Sequence, residues 1–162
     1  MKKTILISVI STVIASSLFL VATAERYTKF SSKFVKNFKD CDRYEETVKS
    51  EFEAQSFTTN RKIIGWRNGF CLYEEVITSP KDQYKLSCRL TSFQVDELYN
   101  AMKTRSRKAE SAEMEIFAPQ ETKDGSTKYT VIGTETIKGN KAYLSWAKIQ
   151  NNPYFCRPVK TK

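Results

Sequence analysis

The sequence contains no histidine among its 162 residues, and its five glycines are scattered along the chain. Without histidine, the protein lacks the commonest general base and the commonest metal ligand. Catalytic sites that pair serine or cysteine with histidine are therefore excluded. The glycines do not form a phosphate-binding loop either.

Metal-binding spacings are also missing. The chain has four cysteines, Cys41, Cys71, Cys88 and Cys156, and no two of them form a C-x-x-C motif. A four-thiolate zinc site would have to gather them from distant positions in reduced form. We therefore expect no metal and no other cofactor, and we interpret the even number of cysteines as two disulfides.

Residues 1–24 have the pattern of a secretory signal peptide. Two lysines near the N-terminus precede an uncharged, mainly apolar run over residues 4–24. The run ends in Ala-Thr-Ala, a small-x-small pattern that predicts cleavage between Ala24 and Glu25. The alternative is an uncleaved inner-membrane anchor formed by residues 4–24, since about 20 apolar residues span a bilayer. The protein is thus expected to be exported, to the periplasm or the medium.

Cleavage would leave 138 of the 162 residues, with 25 basic and 18 acidic side chains and a net charge of +7. That length suits one domain with a modest core. We predict a basic amphipathic segment over residues 25–40, followed by a single globular domain over residues 41–162.

Residues 26–39 carry aromatic side chains with basic residues between them. Four aromatic residues recur at intervals of three and four: Tyr27, Phe30, Phe34 and Phe38. This spacing predicts an amphipathic helix. One interpretation is that the aromatic stripe packs on the domain as part of its core. The alternative is peripheral contact with an anionic membrane surface.

Four segments that predict strands follow this helix. Apolar and polar residues alternate in the first, for which a short helix is the alternative because of its glutamates, and in the fourth. We predict four antiparallel strands, over residues 42–54, 57–66, 70–78 and 83–90. Asn68-Gly69, between the second and third strands, supplies the positive φ angles of a tight hairpin turn. The sequence therefore predicts an antiparallel β-meander of about four strands.

Later elements complete an α+β fold. Thr91 to Gln94 has the form of a capping box, which predicts a helix that caps the meander. Strand patterns over residues 114–118 and 129–136 flank an Asp-Gly turn, which predicts a further hairpin. Residues 140–150 have apolar side chains at helical spacing and predict a short C-terminal helix.

The predicted strands bear on the pairing of the cysteines. The expected register places Cys88 opposite Tyr73, so that Cys71 and Cys88 lie diagonally on one face of neighbouring strands. A shift of two residues would place them directly opposite each other. Of the three possible connectivities we favour Cys71–Cys88 with Cys41–Cys156, which would tie the C-terminal tail to the start of the sheet.

Carboxylates are the remaining candidates for catalysis. Glu74 and Glu75 are adjacent on a predicted strand and should point to opposite faces. Glu75 shares the face of apolar neighbours, where a carboxylate can acquire a functional pKa. The alternative is a position at the rim of the sheet or a lysine partner. One acid without a second specifies no reaction, so a carboxylate-dependent hydrolase is the least favoured hypothesis, and we predict no catalytic residues.

The expected function is that of a non-catalytic binding or interaction module in the bacterial envelope. Basic residues cluster over residues 26–39 and 103–108 and in the C-terminal tail. No nucleic-acid-binding motif accompanies them, and export makes nucleic acid an unsuitable partner. The expected partner is a protein or an anionic component of the envelope, and contact with the membrane through residues 26–39 is the alternative.

Overall fold

A computed structural model of the protein describes residues 29–52, 55–122 and 124–160, which contain three helices and seven strands. The helices are α1 Ser32–Asp40, α2 Ser92–Lys103 and α3 Lys141–Gln150. The strands are β1 Tyr44–Phe52, β2 Gln55–Arg67, β3 Phe70–Thr78, β4 Gln83–Leu90, β5 Glu110–Glu121, β6 Thr127–Gly139 and β7 Cys156–Lys160. The predicted signal peptide, its cleavage site at Ala24 and Glu25, and the first residues of the predicted amphipathic segment lie outside the described residues.

Five strands form one antiparallel sheet in the order β1-β2-β3-β4-β7, and β5 pairs with β6 in a separate hairpin. The predicted α+β fold is confirmed: a four-stranded meander with a capping helix, then a further hairpin and a C-terminal helix. The bounds of β3 and β4 are those that the sequence predicts. Tyr73 lies opposite Cys88, as the predicted register requires.

The turn between β2 and β3 is formed by Asn68 and Gly69. Both have positive φ angles, 51° and 79°, which tight hairpin turns need. Just before this turn, β2 has a bulge at Ile64, between the pairs Ile63–Tyr73 and Gly65–Leu72, where its register with β3 shifts. Beyond the bulge, the Trp66 indole N–H donates to the carbonyl oxygen of Asp40 at 2.9 Å. The hairpin is thereby attached to the end of α1.

The last strand, β7, is an element that the sequence patterns did not predict. It has five residues, too few to show alternation, and Pro158 lacks the N–H of a regular ladder. β7 pairs with β4 at the edge of the sheet, where proline is tolerated. The C-terminal tail is therefore part of the sheet.

The disulfides join Cys41 to Cys71 and Cys88 to Cys156. The interpretation of the four cysteines as two disulfides is confirmed, but the favoured pairing is wrong. Cys71 lies opposite Leu90 rather than Cys88, and β7 places Cys156 directly opposite Cys88 instead. Cys41, at the end of α1, reaches Cys71 with a Cα–Cα distance of 5.8 Å.

Helix α1 begins later than the aromatic spacing predicts. The Ser31 hydroxyl accepts a hydrogen bond from the Phe34 N–H at 3.0 Å, and a serine in this role starts a helix at the next residue. Phe34 and Phe38 are fully buried. The aromatic stripe of α1 is therefore core, and these two rings are not available to a membrane.

The core is a cluster of aromatic rings between the helices and the sheet. The Trp146 ring of α3 lies 5.0 Å from Tyr73 in β3 and 5.3 Å from Phe38 in α1. Rings at these separations attract one another beyond the effect of the area they bury. The buried residues of the five-stranded sheet share the face that carries Tyr73, which we call the inner face. Described residues on the opposite, outer face are half-buried or exposed.

The β5–β6 hairpin is longer than its predicted strands and contacts α3. Its turn is held by Asp124, whose carboxylate accepts hydrogen bonds from the hydroxyl groups of Thr122 and Ser126 and from the Ser126 N–H. The bonds from Thr122, and then those from Ser126, lower the pKa of Asp124 to about 2. The predicted turn is thus closed by side chains as well as by the backbone.

Helix α2 begins at the predicted capping box. The Gln94 N–H donates to the Thr91 hydroxyl at 3.4 Å, and Gln94 Oε1 accepts from the Thr91 N–H at 2.8 Å. These reciprocal bonds satisfy two donors at the start of the helix. The side chain of Gln94 is buried, so the cap also closes one side of the core.

We expect Thr91→Ala to lower the free energy of unfolding by about 1 kcal/mol, because the first turn of α2 loses a side-chain acceptor. The thermal midpoint, measured by circular dichroism, should fall by about 4 °C. Ser92→Ala is the matched control, since Ser92 is exposed and lies in the first turn. Equal midpoints for the two variants would contradict the role of the cap.

Candidate functional site

The adjacent acids of β3 lie on opposite faces of the sheet. Glu74 is on the outer face, where its Oε1 is 2.8 Å from Lys85 Nζ in a half-buried ion pair. Glu75 is on the inner face and is 8% exposed. The two carboxylates therefore do not converge on one substrate position.

Glu75 belongs to a buried ion cluster, which consists of Glu46, Arg61, Tyr73, Glu75 and Gln150. Tyr73 Oη donates to Glu75 Oε2 at 2.8 Å, and Gln150 Nε2 donates to the same oxygen at 2.7 Å. Arg61 Nε lies 3.9 Å from the other oxygen, Oε1. Glu75 thus has an arginine partner on the neighbouring strand, where the sequence suggested a lysine or a position at the rim.

Arg61 joins the buried ion cluster to the segment before α1. Its Nη1 is 3.5 Å from Glu46 Oε1 in β1 and donates to the carbonyl oxygen of Lys29 at 3.3 Å. The guanidinium carbon lies 4.5 Å from the centre of the Phe30 ring, a cation–π contact. One positive charge therefore bridges two carboxylates and holds the N-terminal segment on the sheet.

The groups of the buried ion cluster are paired with one another. Burial, reinforced by the Glu75 carboxylate, raises the pKa of Tyr73 well above its usual value. Its hydroxyl therefore stays protonated and donates to Glu75. Neither Glu75 nor Arg61 lines the two grooves described below. Glu75 is thus held by protein partners and lies away from both grooves.

The outer face of the sheet carries four exposed arginines, which we call the arginine face: Arg43, Arg67, Arg89 and Arg157. Three of them are placed on this face by their cross-strand partners: Arg67 by Phe70, Arg89 by Leu72 and Arg157 by Ser87. Arg43 directly precedes β1, and its Nε donates to the carbonyl oxygen of Ile64 at 3.2 Å. The four arginines of this face thus come from positions spread over most of the described chain.

The charges of the arginine face are not neutralised by any acid among the described residues. Two acids of the outer face are already paired: Glu45 lies 3.8 Å from Lys62, and Glu74 lies 2.8 Å from Lys85. Within the part of the chain that the structure describes, no ion pair involves any of the four arginines. They remain available to an anion from outside.

An open groove of about 520 Å³ lies on the outer face beside the start of β1. Its charged lining consists of three cations and two acids: Arg43, Lys62, Arg67, Glu45 and Glu74. The volume falls within the range of ligand-binding clefts, about 300–1,000 Å³. The groove gives the arginine face a concave part with an excess of positive charge.

A second groove, of about 810 Å³, lies between α2, the end of α3 and the β5–β6 hairpin. Three phenylalanines line it together with three glutamates and a lysine: Phe93, Phe117, Phe155, Glu97, Glu113, Glu115 and Lys148. It shares no lining residue with the first groove. The charge excess of its lining is opposite to that of the arginine face.

Residues 29–52, 55–122 and 124–160 contain neither a candidate metal-ion site nor a candidate membrane-spanning helix. In these ranges, no group of three or more cysteine, aspartate or glutamate side chains is placed to hold a metal ion. None of their helices is long and apolar enough to cross a membrane.

Comparison with known proteins supplies no site that could be transferred to this chain. No protein-family model, no curated protein and no solved structure matches it.

Proposed function

We propose that the protein is an exported, non-catalytic binding module that holds an anionic polymer of the bacterial envelope on its arginine face. The observation that carries the proposal is the set of four exposed arginines on the outer face, which have no acidic partner among the described residues. The predicted signal peptide supports export. The disulfides also support it, because such bonds persist in oxidising compartments.

Arginine is well suited to this task. Its guanidinium group presents a planar fork of donors that matches a carboxylate or a phosphate. The Arg89 guanidinium also lies over the Phe70 ring, 4.5 Å from its centre, which limits the freedom of the side chain. Strands in a sheet are about 4.8 Å apart, so the arginines of β2, β4 and β7 span about 14 Å across it. A polymer with repeated charges can contact several of them at once.

An anionic membrane surface, the alternative partner, has weaker support. Docking by an amphipathic helix needs an apolar face that enters the lipid. Phe34 and Phe38 of α1 are instead fully buried in the core, although Lys33 and Lys36 are exposed. The described part of α1 exposes lysines but not these two rings, so we favour an anionic polymer as the partner.

Titration with polygalacturonate and with polyphosphate would test the proposal, with calorimetry as the readout. The triple variant Arg67→Gln, Arg89→Gln and Arg157→Gln should bind about tenfold more weakly, because each exposed ion contact contributes about 0.2–1 kcal/mol. The affinity of the unmodified protein should fall as salt is added, because the contacts are exposed.

The matched control is the triple variant Lys36→Gln, Lys108→Gln and Lys138→Gln. These lysines are exposed and lie outside the arginine face, so the net charge falls equally, and binding should stay within about twofold. Equal losses in the two variants, or no binding of either polymer, would overturn the assignment. Tighter binding to phosphatidylglycerol vesicles than to both polymers would overturn the choice of partner.

A further inference from the structure

The second groove combines an apolar strip with exposed acids. Phe93, in the first turn of α2, is 74% exposed, and Phe117 and Phe155 are half-buried beside it in the same lining. A single exposed phenylalanine needs no explanation, but a contiguous set of such residues marks an interaction site. The groove is therefore a candidate docking surface on the molecule.

The apolar strip continues past the groove along the hairpin. The Phe117 ring is 6.4 Å from the ring of Tyr154, which is in turn 6.1 Å from the ring of Tyr129. Tyr154 is 63% exposed, and Val131, opposite Phe117 in the hairpin, is 50% exposed. The strip is long enough for several consecutive side chains of a partner rather than for one.

The walls of the groove are held together by hydrogen bonds. The Asn151 side chain, just after α3, donates to the carbonyl oxygen of Glu115 in β5 at 2.5 Å. The Tyr154 hydroxyl donates to the carbonyl oxygen of Tyr129 in β6 at 3.2 Å. Both bonds attach the hairpin to the segment that follows α3, so the groove is preformed.

The charge of the lining indicates the charge of the occupant. Glu97, Glu113 and Glu115 are exposed, and none of them forms an ion pair within the described ranges. Lys148 offsets one of the three negative charges. On a chain with a net charge of +9, this acidic lining repels polyanions and attracts basic groups.

We infer that the second groove binds a cationic amphipathic segment of a partner protein, in which aromatic or aliphatic side chains alternate with lysine or arginine. The apolar side chains would lie against Phe93, Phe117 and Phe155, and the basic ones would face the glutamates. This site is separate from the arginine face and does not depend on the proposed function. The protein would then hold two partners of opposite charge.

An eight-residue peptide of alternating lysine and phenylalanine is a suitable probe, with fluorescence anisotropy as the readout. Two further peptides separate the contributions: lysine alternating with serine, and uncharged glutamine alternating with phenylalanine. Both should bind at least about tenfold more weakly than the first, because one lacks the apolar side chains and the other lacks the positive charges. Equal binding of the first two peptides would overturn the apolar part of the inference, and equal binding of the first and third would overturn its charged part.

Variants of the protein test whether the groove is the site. Phe93→Ala should weaken binding of the lysine–phenylalanine peptide about tenfold, and Glu113→Gln with Glu115→Gln about fivefold. The matched control, Glu110→Gln with Glu121→Gln, removes two exposed acids of the same strand that do not line the groove. Equal effects of the two double variants, or full binding by Phe93→Ala, would overturn the assignment of the binding site to the second groove.

Discussion

Reduction of both disulfides is expected to leave the protein largely unfolded under conditions in which the oxidised form is stable. The two bonds span sequence separations of 30 and 68 residues, and on the chain-entropy account each contributes about 4 kcal/mol. Their loops do not overlap along the chain, so the contributions add to about 8 kcal/mol. That sum is comparable with the whole stability of a typical domain, about 5–15 kcal/mol.

Urea unfolding followed by circular dichroism, with and without reductant, would measure this effect. Removing Cys88 and Cys156 by alanine substitution should cost slightly more than removing Cys41 and Cys71, because the closed loop is longer. All four residues are at most 2% exposed, so reduction should need partial unfolding first. A reduced protein with an unchanged urea midpoint would contradict the expectation, and the midpoint should return when the bonds are re-formed.

Arg61→Met is expected to lower the free energy of unfolding by about 3–5 kcal/mol, because the buried carboxylates of Glu46 and Glu75 lose their shared cation. The Arg61 side chain is 11% exposed and that of its partner Glu46 is 10% exposed, so water replaces little of the lost interaction. The variant also loses the hydrogen bond to Lys29 and the contact with Phe30. Chemical denaturation at neutral pH would measure the loss.

Two further variants identify the cause of the stability loss in Arg61→Met. Adding Glu46→Gln and Glu75→Gln to Arg61→Met should recover most of the loss, because a buried site without charges can be as stable as a paired one. Lys62→Met, on the same strand, removes a cation whose side chain is 51% exposed, and it should change stability by less than about 0.5 kcal/mol. Equal losses of unfolding free energy in Arg61→Met and Lys62→Met would show that the burial of the ion pairs of Arg61 does not determine their contribution.

Most of the fold could be predicted from local signals. Alternation predicted β4, because its face with Cys88 and Leu90 is buried and the opposite face is not. The capping box at Thr91 and the Asn68-Gly69 turn depend on neighbouring residues alone, and both were confirmed. The start of α1 was predicted too early because Ser31, inside the aromatic stripe, caps the helix.

The errors concern contacts between residues far apart in the sequence. The disulfide pairing depends on β7, and a five-residue edge strand with a proline has no pattern of its own. Without β7, Cys156 could be placed only in a tail. The partner of Glu75 could not be predicted for a related reason. Arg61 lies opposite Glu75 only because β2 pairs with β3, and the burial of Arg61 depends on the segment before α1.

The candidate site was the least predictable part. The net positive charge is visible in the sequence, but Arg43 and Arg157 are at opposite ends of the described domain. Sheet pairing brings arginines from distant positions to one face. Because Glu45 and Glu74 pair with lysines, these arginines have no acidic partner among the residues that the structure describes. Among the described residues of the three basic clusters in the sequence, only Arg157, in the C-terminal tail, lies on this face.

The connectivity of the disulfides also determines how the domain would respond to tension between its two ends. Mechanical load would pass from Cys41 to Cys71 and from Cys88 to Cys156 through covalent bonds. The backbone of residues 42–70 and 89–155 would carry none of that load, and between Cys41 and Cys156 the stretched path would be confined to the hairpin of β3 and β4. Arg43, Arg67 and Arg89 and the whole lining of the second groove lie within these two loops, so tension between the chain ends would not be transmitted along the backbone of these segments.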